Sequence, residues 1–362
     1  MCICYLLLQQ FMKKDMVSKS DVGIILMNLG SPDSTAVPDV KRYLIEFLMD
    51  KRVIDYPWLF RKILIEGIIV PRRAAQSAKA YESIWWEEGS PLIALTKQLQ
   101  TAVQHDMDIP VEIAMRYGNP HPEVAYNNLL RKNPDLKEVI VLPLYPHYAM
   151  SSYETAAEYA KEIYLKKKYT FKLSVIPPFY DEPDYINAVA ESMRPYMQQD
   201  YDYILFSYHG VPERHIHKGD ITGSHCLKVN DCCHVRSEAH KFCYRHQVTI
   251  TSELVAAKLG LPKDKWGISF QSRLGREEWL KPYTAATLEQ LPQEGKKKLL
   301  IVCPAFVSDC LETLEEIAVE GKHSFMHAGG DSYTMIPCLN IHPLWVKAVV
   351  KYCNQIMETT TV

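Results

Sequence analysis

Short apolar runs alternate with amphipathic stretches along most of the chain. Residues 22–28, 111–116, 138–145 and 171–176 in the first half, and 203–208, 267–271 and 299–303 in the second, are brief and largely apolar, with many β-branched or aromatic side chains. Runs of that length and kind read as strands buried on both faces of a parallel sheet. The stretches between them carry helix boundary signals: Ser90 with Pro91 opens one helix, and Gly260 with Pro262 closes another. Regular alternation of this sort predicts an α/β fold, with parallel sheets flanked by helices. Pro177-Pro178 reads as a switch between domains, and residues 342–359 as a C-terminal helix. The expected division is 21–170, completed by 342–359, against 171–341. No sequence repeat is evident between the halves, so any likeness between them is expected to be structural only.

Two strand ends carry candidate chemistry. In Tyr203-Ile204-Leu205-Phe206-Ser207-Tyr208-His209-Gly210-Val211-Pro212 the apolar strand stops at a glycine-proline turn, which puts His209 at a carboxyl edge. In open α/β sheets ligands bind at that edge, and a histidine there serves as proton acceptor, metal ligand or plain packing group. The second junction follows residues 299–303, where Ser308 or Asp309 is expected to cap a helix beginning at Cys310. Asp309, Glu312, Glu316 and Glu320 then fall three, four and four residues apart, which stacks four carboxylates in one row. Such a row is a solvated face unless a cation relieves its repulsion.

Composition narrows the field. With 362 residues, 47% of them hydrophobic, the chain buries a large core and divides into two domains. A net charge of −2 argues against a nucleic-acid partner. The triplets Lys166-Lys167-Lys168 and Lys296-Lys297-Lys298 read as solvated turns. No apolar stretch approaches the roughly 20 residues that span a bilayer. Residues 1–8 are apolar but lack the basic flank and cleavage site of a signal peptide, and Met16 is an alternative start. A cytoplasmic location is expected, peripheral to the membrane at most.

Ser207-Tyr208-His209-Gly210-Val211-Pro212, Phe270-Gln271-Ser272-Arg273-Leu274-Gly275 with Glu278-Trp279-Leu280, and Val307-Ser308-Asp309-Cys310-Leu311-Glu312-Thr313-Leu314-Glu315-Glu316 resemble the motifs of ferrochelatases, as does Ile25-Leu26-Met27-Asn28-Leu29-Gly30-Ser31-Pro32. The resemblance runs from about Gly23 into the C-terminal helix. It implies two Rossmann-like domains of the class II chelatase type, with the last helix crossing back onto the first domain. It also implies insertion of ferrous iron into protoporphyrin IX, with His209 and Glu312 at the metal centre. Asp309 and Glu316 are expected on a proton or metal path, and Ser90, Arg116, Tyr117, Tyr145, Tyr148 and Trp279 at the porphyrin. No role for Cys310 follows. Residues 43–73, where Phe47, Trp58, Leu59, Phe60 and Ile63 interleave with Arg52, Arg61, Lys62, Arg72 and Arg73, would form cleft lips able to touch a membrane. Coproporphyrin, cobalt or nickel as alternative substrates, a non-catalytic haem or iron–sulfur protein, and a monomer or homodimer stay open.

Four of the ten cysteines, Cys226, Cys232, Cys233 and Cys243, crowd an insertion spanning residues 218–246. Bacterial relatives with clustered cysteines at this place suggest a [2Fe–2S] cluster. The competing readings are tetrahedral zinc, helped by His225, His234, His240 and His246, and free thiols.

Overall fold

A computed structural model describes residues 21–360 apart from Leu274 and Arg276. The expectations for residues 1–8 and Met16 fall outside it. Eight strands form two four-stranded parallel sheets. In the first, β1 (Val22–Ser31) lies between β2 (Val111–Gly118) and β3 (Glu138–Pro143), with β4 (Lys172–Val175) beyond β3. In the second, β5 (Tyr203–His209) lies between β6 (Trp266–Gln271) and β7 (Lys298–Val302), with β8 (Ser332–Met335) outermost. Both sheets therefore share the order second, first, third, fourth.

The helices follow in chain order. The first half holds α1 (Val37–Leu48), α2 (Trp58–Lys62), α3 (Val70–Ile84), α4 (Pro91–His105), α5 (Pro122–Lys132) and α6 (Thr155–Lys167). The second half holds α7 (Pro183–Met193), α8 (Glu213–Gly219), α9 (Tyr244–Leu259), α10 (Thr284–Gln290), α11 (Lys322–His327) and α12 (Pro343–Thr360). Three π-helical stretches, Ile63–Ile69, Met150–Glu154 and Glu312–Gly321, interrupt or precede α-helices. Such stretches are rare, and they cluster where function demands an unusual side-chain spacing.

The halves are locked by a reciprocal exchange. Helix α7 follows β4 of the first sheet but packs on α9 of the second half, while α12 follows β8 and packs back on α4 and β3. The two exchanged helices also pack on each other. Where they meet, Phe179 faces Trp345 at 5.5 Å and Tyr185 meets Trp345 edge-on at 6.3 Å. The Tyr185 hydroxyl donates to the carbonyl of Pro304 at 2.7 Å, and its backbone N–H to the Tyr352 hydroxyl at 3.1 Å. Tyr185 and Trp345 are both fully buried, so one apolar core runs from Ile24 and Leu26 of β1 to Ile204 and Phe206 of β5.

Three expectations change. Strand β4 pairs with β3, from Glu138 with Lys172 to Val141 with Val175, so the division at 170/171 cuts the first sheet; the crossover begins instead at Ile176-Pro177. A weak internal repeat does exist. Ile176-Pro177, Pro183, Tyr185-Ile186 and Ala188-Val189 recur in step as Ile336-Pro337, Pro343, Trp345-Val346 and Ala348-Val349, each set running from a fourth strand into an exchanged helix. The shared positions are scattered prolines and apolar residues, too few to stand out before the structure aligns them. Finally, Ser332–Met335 gave no strand signal, being four residues long, exposed at Ser332 and confined to a sheet edge.

Candidate active site between the two sheets

His209 ends β5, as the turn predicts, and stays partly exposed. Its Nδ1 lies 2.7 Å from the Gly210 carbonyl. A carbonyl only accepts, so Nδ1 carries the proton and Nε2 is left with a free lone pair. Gly210 is required there, since a Cβ would fall 2.9 Å from the Gln271 carbonyl and 3.2 Å from the Trp279 ring. Trp279 itself is buried and bridges to Pro212. Its ring packs against the His209 turn at Gly210.

Facing this turn is the acidic stretch, whose α-helical row does not form. Residues Glu312–Gly321 adopt a π-helix, and Asp309 lies ahead of it. Asp309 is 5% exposed and accepts hydrogen bonds from the Asn340 amide at 2.7 Å, the Thr313 hydroxyl at 2.9 Å and the Cys338 N–H at 3.3 Å. It braces the helix start and has no place in an open path. Glu316 accepts a hydrogen bond from the Ser272 hydroxyl and lies within electrostatic reach of His209 and Glu312. Burial, with repulsion from Glu312, raises its pKa above the ordinary carboxylate value despite help from Ser272 and His209. Glu315 is pushed up as well, by burial and then by Glu320 and Glu316. The expected single row thus divides: Asp309 is withdrawn into the fold, Glu316 lies within reach of both His209 and Glu312, and Glu320 is exposed, with Glu315 within reach of both Glu316 and Glu320.

Glu312 projects toward the first half, among three tyrosines. Tyr43, Tyr81 and Tyr145 all feel its charge, and burial raises each of their pKa values well above the phenol range. The Tyr145 hydroxyl is buried without a hydrogen-bond partner. Cys310 lies against Glu312 too, its thiol pushed up by burial and then by that carboxylate. Tyr43 and Tyr81 were missed in the sequence because each belongs to an amphipathic helix, α1 and α3, and reads there as ordinary core.

The other expected porphyrin contacts disperse. Arg116 is paired with Asp50 in a buried bridge and held between the rings of Tyr117 and Tyr159, each 4.2 Å from its guanidinium carbon. Its Nε donates to Thr155 at 2.6 Å, and the fully buried Tyr117 donates to Asp50 at 2.9 Å. Arg116 is thus held by Asp50 and Thr155 through Nη2 and Nε, and Tyr117 is packed beneath it. Tyr148 hydrogen-bonds Glu154, which pairs with Arg52 at 3.1 Å, and its ring meets Phe242 of the insertion edge-on at 5.1 Å. Ser90 is buried at the head of α4 and makes no capping bond.

The lip carries a broad apolar surface. Trp58, Leu59, Phe60 and Ile63 are each 57–63% exposed along α2 and the π-helix after it. Just before them, Asp55 pairs with Arg214 and Lys218 of α8, and the Tyr56 hydroxyl donates to Glu277 at 2.7 Å. These bonds tie the lip to the helix that follows the His209 turn. Among the described residues no helix is long and apolar enough to cross a membrane.

In the insertion all four cysteines are buried and none is in a disulfide. Cys226 and Cys243 share a hydrogen bond, Cys232 is within electrostatic reach of both, and Cys233 is within reach of Cys232 and Cys243. The Cys232 sulfur receives hydrogen bonds from the Leu227 N–H at 3.4 Å and from Arg245 at 3.6 Å. Leu227 and Asp231 take left-handed backbone angles to make this loop, and Asp220 fastens its start by accepting from the N–H groups of His225 and Cys226. Burial pushes the Cys233 thiol up to about 12, a cost that a metal ion would reverse by holding the thiolate. The histidines do not join the set. His225 and His240 both approach the Cys232 carbonyl at 2.8 Å, His246 the Cys233 carbonyl at 2.6 Å, and His234 pairs with Asp231 and Glu253. Among the described residues no three His, Cys, Asp or Glu side chains, the four cysteines included, are arranged around a single ion.

Comparison with known proteins accords with this geometry. The family model described as Ferrochelatase matches residues 21–357. The ferrochelatase of Pseudomonas fluorescens (strain Pf0-1) is 49% identical over 338 residues, 93% of this chain and 98% of that protein. That of Stutzerimonas stutzeri (strain A1501) is 48% identical over 339 residues, with the same shares covered. Among solved structures, SirB from Bacillus subtilis with Fe3+ aligns with a TM-score of 0.53 at 11% identity, over 92% of this chain and 95% of that one, a likeness of fold alone. With the family match spanning both sheets, the chain belongs to the ferrochelatase family, and its reaction is the insertion of ferrous iron into porphyrin for haem synthesis.

Proposed function

We propose that the crevice metallates protoporphyrin IX, with His209 as proton acceptor and Glu312 as the carboxylate beside the incoming iron. The observation carrying this reading is the convergence of His209 and Glu312 on Glu316, from chain segments about a hundred residues apart. Metallation removes two pyrrole protons from the ring and admits a divalent cation between its nitrogens. The Gly210 carbonyl fixes the imidazole tautomer, so Nε2 presents the lone pair such a proton needs. In its ionised form Glu316 takes the proton from His209, a transfer its raised pKa favours, and passing it outward frees both groups for the second pyrrole proton. Glu312 offers a hard oxygen ligand among phenols whose burial keeps them protonated and out of competition for the metal. A weakly ligated ion is released readily into the ring, whereas a closed site would trap it. Porphyrin bound against the wall of Tyr43, Tyr81 and Tyr145 would be held flat or bent toward the metallated geometry.

His209→Ala and Glu312→Gln are each expected to reduce turnover roughly 10²- to 10⁴-fold while leaving protoporphyrin fluorescence quenching on binding largely intact. Near-normal turnover in either variant would remove that residue's central role. Anaerobic assays with protoporphyrin and coproporphyrin side by side test the substrate, and preference for the latter would replace the proposed one.

The insertion is proposed to hold a [2Fe–2S] cluster on Cys226, Cys232, Cys233 and Cys243, which supplies a redox-responsive group away from the crevice. Support comes from four buried sulfurs together, with N–H and guanidinium donors aimed at Cys232. A colourless anaerobic preparation without iron and sulfide would overturn it. The exposed lip is proposed to rest on the membrane surface from the cytoplasmic side, its apolar side chains flanked by Lys62, Arg72 and Arg73. Vesicle flotation of the intact chain and of Trp58→Ser/Phe60→Ser tests that contact.

A further inference from the structure

The acidic π-helix does not stop at Glu320. It runs directly into α11, where His323 and His327 stand one helical turn apart with parallel rings, centroids 6.1 Å apart and planes within 4°. Both are exposed, and no hydrogen bond or ion pair to another described residue holds either ring. The helix beneath them is fixed by the fully buried Phe325 and by the Tyr333 hydroxyl, which donates to the Ile317 carbonyl at 2.6 Å. Two imidazoles spaced i and i+4 on one helix face form a chelating pair for first-row divalent cations, with metal–nitrogen bonds of about 2.0–2.1 Å.

From this pair inward the carboxylates are linked. Glu320 precedes His323 by three residues, Glu315 lies within electrostatic reach of Glu320 and Glu316, and Glu316 within reach of Glu312 and His209. We infer that His323 and His327 form an external capture site for ferrous iron, feeding the acidic track at its solvent end. Resting on the chelatase reading for its purpose, the site has a chemistry that stands alone. Among the described residues no third His, Cys, Asp or Glu completes the ligand set, so water fills the remaining positions and the ion exchanges freely. Imidazole suits iron and its neighbours and has little affinity for magnesium or calcium, so the pair also filters the abundant hard cations from the track.

The test uses the untagged full chain and its His323→Gln/His327→Gln variant, with Ni2+ alone as the binding probe and Fe2+ in turnover. Equilibrium dialysis is expected to show one Ni2+ equivalent fewer on the variant at unchanged melting temperature. Its KM for Fe2+ should rise roughly five-fold with kcat unchanged, the signature of lost capture without lost chemistry. Glu320→Gln should raise the same KM while leaving Ni2+ binding as in the parent. Equal Ni2+ binding in parent and variant overturns the site, and lost binding with an unchanged KM overturns its role in delivery. If the parent chain made no haem at all, the chelatase reading would fail while the dialysis result still decided the metal site.

Discussion

The two sheets share one topology and place opposite kinds of chemistry at their carboxyl edges. At the edge of the first the charged groups are satisfied from within: Asp50, Arg116, Tyr117 and Thr155 close on one another, and the groups left buried without partners are neutral, the hydroxyls of Ser31 and Tyr145. That of the second is left unfinished. Glu316 is buried beside another carboxylate, the Gln271 amide nitrogen is buried without a partner, and Ser272 holds a left-handed backbone. Local rules fail where reactivity is built, and the cost is carried by a well-packed neighbour.

The strongest way to break this contrast is at Asp50. Asp50→Ala strands the Arg116 guanidinium in a buried wall, an uncompensated charge that costs about 3–5 kcal/mol. Chemical unfolding should register that loss, while any variant that stays folded should retain His209-dependent turnover with weakened porphyrin affinity. An Asp50→Ala protein with full stability and lost kcat would show that the first half takes part in the chemistry.

Glu316→Gln probes the opposite half, and its two effects should differ in sign. Turnover is expected to fall roughly ten- to a hundredfold as the onward proton acceptor is lost. Stability should move the other way. Because the folded-state pKa is raised, the native chain holds this proton to higher pH than the unfolded chain does. The penalty is absent below the ordinary carboxylate range, grows as pH rises through the window between the unfolded and folded values, and then stays constant. Melting temperatures of parent and variant should therefore coincide in acid and diverge in the variant's favour at pH 8. A variant less stable than its parent at pH 8 would mean that Glu316 is a satisfied structural group.

How much of this was legible beforehand follows from the range of each interaction. Strands buried on both faces announce themselves as apolar runs, and His209 is visible because a strand end, a glycine and a proline are neighbours in sequence. The pairing of Arg116 with Asp50 could not be read beforehand, because the two are 66 residues apart. Asp309 was placed on the acidic row by α-helical arithmetic, which the π-helix after Leu311 invalidates. The histidines of the insertion looked like ligands by proximity, yet they serve the carbonyls of Cys232 and Cys233. In each case the residue type was informative and its partner, set by tertiary packing, was not.

The seam between the halves offers a test that shows only in acid. His147 is 2% exposed, ringed edge-on by Tyr185, Tyr208 and Tyr244. The Thr251 hydroxyl gives its proton to the Tyr180 carbonyl, so it accepts from His147 Nε2 at 2.9 Å and leaves Nδ1 bare and buried. Burial holds the His147 pKa down at about 3, against an ordinary 6.5. Below pH 6.5 the unfolded chain therefore takes up a proton that the native one refuses, and stability falls by about 1.4 kcal/mol per pH unit from this group alone. His215, held down at about 4, adds to the same slope over part of that range. His147→Gln keeps an N–H for Thr251 and does not titrate, so its unfolding free energy should decline less steeply between pH 6.5 and 4. Parallel slopes for parent and variant would place the acid sensitivity of the seam elsewhere, with His215 and its Asp55 neighbour in the lip clasp the next site to examine.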